Sequence, residues 1–170
     1  MPTNNLSERA MSSLRVPMFF MAIASLLLSV PVPGAAQDGE PPYWVSLKVD
    51  RANMRVGPDR SYPIDWVYVR LELPLKVVRK SGGWRLVEDQ DGARGWMLAR
   101  FLSRDRTATV TVEGLAEIRD DAGANAKLLW RAQPGVIGRL GECENGWCEI
   151  AIGDKRGWIA AEDIWGEGAP

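Results

Sequence analysis

Two Gly-Trp steps recur along the chain at nearly constant spacing. Gly83-Trp84-Arg85-Leu86-Val87 reads against Gly146-Trp147-Cys148-Glu149-Ile150, and Arg94-Gly95-Trp96-Met97 against Arg156-Gly157-Trp158-Ile159. The tryptophans are 12 positions apart in the first copy and 11 in the second. The missing residue falls in a hairpin loop, Asp91-Gly92 against Gly153-Asp154. Further upstream Asn53-Met54-Arg55 matches Glu117-Ile118-Arg119, and Trp66 matches Trp130. A repeat of this length is one structural unit used twice. It places copy one at 42–104 and copy two at 107–166, joined by the polar run Ser103-Arg104-Asp105-Arg106.

Each copy reads as short strands. Val45 to Val49 alternates with period two, and Leu75 to Val78 and Trp84 to Glu88 are rich in strand-forming residues. Gly, Pro, Asn and Asp interrupt these runs every 8 to 12 residues, and no convincing 3.6-residue apolar period exists in 37–170. The expected fold class is all-β: two tandem small barrels. A 60-residue barrel is marginal alone, so docking of the copies and a covalent staple are expected to help. Cys143 and Cys148 are the two cysteines, separated by Glu144-Asn145-Gly146-Trp147. Asn145-Gly146 is a hairpin-turn dipeptide. A turn there brings the two cysteines opposite each other, and a disulfide is expected in an exported chain. A redox or metal role is the alternative. The spacing is not C-x-x-C, and two cysteines without histidine make a poor zinc site.

Export is read from the N-terminus. Arg9 and Arg15 precede an apolar run from Val16 to Val30, and small residues follow in Pro33-Gly34-Ala35-Ala36. This is the three-part pattern of a secretory signal peptide, assigned to 1–36. The run is shorter than the roughly 20 residues of a spanning helix; an uncleaved anchor is the alternative. After cleavage no membrane association is expected, and the destination is periplasmic or secreted.

The residues resemble the bacterial SH3-like domain family over nearly all of 37–170. Asn53-Met54-Arg55-Val56-Gly57-Pro58 is similar to the family's N-L-R-x-G-P opening. The paired Gly-Trp steps match in order and spacing, and Gly95 to Leu102 resembles the closing run of the wider fold. Ser61 to Tyr68 looks like the long loop of exported members. Copy two departs from the pattern: Asp120-Asp121 follows Arg119, Gly-Pro is missing, and Asp163 stands where copy one has Phe101.

The resemblance implies a binding module with an aromatic-lined groove for extended peptides. It implies groove candidates Tyr62, Trp66, Tyr68, Trp84 and Phe101 in copy one, with Asp59 and Asp65 as polar loop contacts. Arg55 either orients a carboxylate or braces the loop. The alternative for Tyr62, Trp66 and Tyr68 is that they pin a long loop to the barrel. Trp96 and Trp158 are expected to be structural, Met97, Leu102, Ile159 and Ile164 to be core, and Trp44 and Trp165 to seal either the two copies or the termini.

Composition excludes several functions. With no histidine in the chain, the usual general base at neutral pH is missing, and a Ser or Cys nucleophile lacks its usual partner. The acidic residues fall in turns and on polar strand faces. No phosphate-binding glycine loop is present, so no enzyme activity, cofactor or metal is expected. A net charge of −1 gives no basic field for nucleic acid. The resemblance, with the export pattern, implies three roles in order: a binder of cell-wall (peptidoglycan) peptides, a scaffold recruiting a periplasmic protein, and, least supported, a cell-wall hydrolase.

Overall fold

The structure, a computed structural model, describes residues 39–170. The segment 1–36 read as a signal peptide lies outside the described residues. The first copy contains β1 (Tyr43–Leu47), β2 (Ala52–Arg55), β3 (Ile64–Tyr68), β4 (Pro74–Ser81), β5 (Trp84–Glu88), β6 (Arg94–Leu98) and β7 (Leu102–Ser103), with a 3-10 turn at Ala99–Phe101 before β7. The second contains β8 (Thr107–Val110), β9 (Ala116–Arg119), β10 (Leu128–Ala132), β11 (Ile137–Glu144), β12 (Trp147–Ile152), β13 (Lys155–Ala160) and β14 (Ile164–Trp165), with a matching turn at Ala161–Asp163.

The two sheets have one topology. Strands run β3-β2-β6-β5-β4-β1-β7 in the first and β10-β9-β13-β12-β11-β8-β14 in the second, with every pairing antiparallel. This is the all-β architecture of two tandem SH3-like barrels. Both belong to one compact unit of the chain. The first strand lies two residues earlier than the alternation of Val45 to Val49 suggests. Tyr43 and Trp44 are drawn into the ladder by pairing with Val77 and Lys76, and all five residues of β1 are buried.

Alternate residues of each strand fill a separate core. Leu47, Met54, Leu75, Val77, Val87 and Met97 form the first, and Val110, Ile118, Cys148, Ile150 and Ile159 belong to the second. Leu102 and Ile164 are buried beside them. Trp96 is buried too, but on the opposite face of β6, where the Arg79 guanidinium lies 5.1 Å from its ring centre. The glycine before each such tryptophan serves the neighbouring strand. A Cβ on Gly95 would stand 2.5 Å from Met54 Cγ, and one on Gly157 2.5 Å from Ile118 Cγ2. Glycine here lets β2 and β9 close onto the sheet.

The Asn145-Gly146 turn has both φ values positive, 51° and 80°, as a two-residue hairpin loop requires. It sets Cys143 opposite Cys148 in the β11–β12 ladder, and the two form a disulfide.

Candidate functional site

The sequence-derived candidates fall in three places. Arg55, Asp59 and Tyr62 build the loop between β2 and β3. Arg55 Nη1 donates to the Tyr62 carbonyl at 2.6 Å, so Arg55 braces the loop. The Ser61 amide donates to Asp59 Oδ1 at 2.9 Å, which holds the Asp59 carboxyl below its ordinary range. The Tyr62 ring packs onto Gly57, where any Cβ would stand 2.6 Å from ring carbons. Copy two keeps the brace without the Gly-Pro: Arg119 Nη1 donates to the Ala126 carbonyl at 2.5 Å, again seven residues on.

Trp66 and Tyr68 lie on β3, the outer edge of the first sheet. A bulge at Asp65 restarts the pairing with β2, and Asp65 itself is exposed. Trp66 pairs with Met54 and Tyr68 with Ala52, so both face inward. The edge strand overhangs the core at Trp66, leaving the residue 59% exposed, whereas Tyr68 is only 7% exposed. Tyr68 nevertheless lines the cleft beside Trp66. Its ring belongs to the core, because its pleat position points there, and its hydroxyl marks the cleft floor.

That cleft, of about 310 Å³, opens beside Trp66 and is bounded by Val69, Leu73, Asp89 and Asp91. Arg70 also lines it. The Tyr68 hydroxyl donates to Asp89 Oδ2 at 2.6 Å. Asp89 Oδ1 accepts the amides of Asp91 (3.1 Å) and Ala93 (2.8 Å). Burial and the Asp89 hydrogen bond push the Tyr68 phenol well above its ordinary range, and the charges of Asp89, Asp91 and Asp65 add to this. Asp89 and Asp91 are site residues that sequence reasoning passed over as turn charges. The signal available was the Asp89-Gln90-Asp91 hairpin tip, which has no carboxylate partner for Asp89 in copy two.

Trp84 and Phe101 lie elsewhere. Trp84 is half-buried between Ser81 and Leu98 on its neighbouring strands. Phe101 packs against the first core under the Arg100 guanidinium, 5.0 Å from its ring centre. Neither lines the cleft beside Trp66. Among the described residues no cluster of His, Cys, Asp and Glu suited to a metal ion is present.

The described residues thus form two β-barrels, one with an exposed aromatic beside a cleft lined by Asp89, Asp91 and Arg70. A sequence profile of the bacterial SH3 domain matches residues 48–103 and again 112–166, and the chain belongs to that family. No match was found among curated protein sequences. Among solved structures the chain is similar to the NlpC2 protein of Trichomonas vaginalis (10% identity, TM-score 0.35, 76% of this chain and 49% of that one). It is also similar to the NlpC1 protein of the same organism (10%, 0.35, 78% and 49%) and to an NlpC/P60 family protein of Bacillus cereus (14%, 0.32, 72% and 55%). The chain thus spans about half the length of these structures.

Proposed function

We propose that the protein is an exported, non-catalytic binding protein whose first bacterial SH3 domain recognises cell-wall peptides. The observation that carries this reading is Trp66, a large aromatic left more than half exposed at the mouth of a cleft. Exposing an indole forgoes about 2 kcal/mol of burial, and aromatic side chains are the usual anchors of binding surfaces. Family membership supports a binding role, and the hydrogen bonds that fix Asp89 at the cleft support a site whose geometry exists before the ligand arrives. Export to the periplasm or beyond is the setting the N-terminal pattern suggests.

The test is co-sedimentation with purified insoluble sacculi, using protein purified from cells expressing the full chain. Retention that falls in Trp66→Ala is the expected result. Protein that stays in the supernatant overturns the cell-wall reading. The second reading, a scaffold for a periplasmic protein, is favoured by one observation: β3 ends the first sheet, and an edge strand carrying exposed Ile64 and Trp66 can pair with an added strand. Loss of sedimentation together with a crosslink from β3 to an envelope protein would favour it. Release of soluble muropeptides by the purified protein would establish the hydrolase instead.

A further inference from the structure

The second domain contains the counterpart of the Trp66 cleft, of about 490 Å³ and lined by Trp130, Ile152, Asp154 and Lys155, and there one of the chain's own cations lies over the indole. Trp130 pairs with Ile118 as Trp66 pairs with Met54. Ala132 holds the Tyr68 position, opposite Ala116 as Tyr68 is opposite Ala52. The facing hairpins correspond through Ile150↔Gly157 and Val87↔Gly95. Two residues further out on each strand, Ile152 holds the place of Asp89, and Lys155 the place of Ala93. In the second domain Lys155 Nζ lies 5.8 Å from the Trp130 ring centre, within reach for a cation–π contact. Trp130 is correspondingly half-buried and packs on the second core. In the first domain the lysine position carries only a methyl group, and the indole is exposed.

The surroundings differ in the direction an external cation requires. Where the second domain has Ile152, the first has Asp89, and Asp91 and Asp65 stand close enough to act on the same Tyr68 hydroxyl. Arg70 is the one cation among the lining residues, leaving the carboxylates in excess. Asp89 is held in place by three hydrogen bonds and needs no rearrangement to present its charge.

We infer that the Trp66–Asp89–Asp91 cleft of the first domain is a site for an alkylammonium side chain, taken from the ligand, in the position that Lys155 occupies over Trp130 in the second. The indole face receives the ammonium and its methylenes, and the carboxylates supply the counter-charge. In the second domain the chain's own Lys155 already lies over the indole. That the amine belongs to a wall peptide rests on the proposed function; the chemistry of the site does not.

The experiment titrates Nα-acetyl-lysine amide, with neutral Nα-acetyl-norleucine amide as control, into protein purified from cells expressing the full chain. The readout is the indole N–H resonances, the Trp66 signal being assigned by its loss in Trp66→Phe. The lysine amide should move the Trp66 signal saturably, and Asp91→Asn should weaken binding about fivefold. Equal shifts with norleucine amide overturn the proposal, as does no shift up to the solubility of the lysine amide. Sacculus retention without amine binding removes this site and leaves the cell-wall reading standing. Amine binding without retention keeps the site and removes that reading.

Discussion

At the scale of single residues, the first domain divides its aromatic and charged groups between holding and presenting. Tyr68 and Asp89 form a buried-to-surface pair that ties β3 to the β5–β6 hairpin. Tyr68→Phe removes the donor while Asp89 keeps its two amide partners, so urea unfolding should show a loss of about 1 kcal/mol with the fold retained. Glu88 is the other determinant: it pairs with Lys76 at 2.5 Å and with Arg94. These cations, Lys76 first, hold its carboxyl below the ordinary value of 4.5. A carboxyl depressed in the folded state adds stability above its unfolded pKa, and that stability is lost as pH falls through the folded value. Glu88→Gln should therefore lower the melting temperature at neutral pH and flatten its decline below pH 4.5, read by thermal melts across an acid series.

At the scale of elements, the repeated device is a β-hairpin closed by arginine and admitted by glycine. Gly95→Ala places a methyl group against Met54 Cγ at 2.5 Å and the Arg55 carbonyl oxygen at 3.0 Å. A loss of about 2 kcal/mol is expected in chemical denaturation, with Gly157→Ala behaving alike in the second domain. The Cys143–Cys148 disulfide closes a short loop, and its removal by Cys143→Ser/Cys148→Ser should cost ~2 kcal/mol by chain entropy. The first domain's signals should be unmoved. Much of this was legible beforehand. Asn145-Gly146 and the cysteine spacing identify the hairpin and its staple, because both are local and turn geometry depends on adjacent residues. The bulge at Asp65 was not, since a bulge is defined by the partner strand.

At the scale of the molecule, the two domains meet through the ends of the repeat. The Trp44 and Trp165 rings pack edge to face with centres 4.8 Å apart, and Trp44 Nε1 donates to the Gly168 carbonyl at 3.1 Å. Arg106 Nη2 donates to the Gly166 carbonyl at 2.7 Å. Glu72 and Arg139 pair across the domains, with Arg139 Nε donating at 2.7 Å. Glu72 holds φ at 61°, where its counterpart in the second domain is Gly135 at 78°; both residues donate their amide to the end of the first strand of their domain. Trp165→Ala removes the aromatic contact while leaving both cores intact. Calorimetry should then resolve one unfolding transition into two.

The sequence by itself determined the repeat, the all-β class, the family resemblance and the disulfide, because each is written in residue type at fixed local spacing. Trp66, Arg55 and Asp59 were also legible as residues apart from the core. What only the tertiary structure decided is which candidates share a site. Trp66 and the Tyr68 hydroxyl meet Asp89 and Asp91 from a distant hairpin, while Trp84 and Phe101 stand apart, since neighbours across strands are set by sheet order and pleat. The structure likewise decided that Lys155 lies over one indole while Ala93 stands at that place beside its exposed twin, since the two positions meet only across the folded sheet.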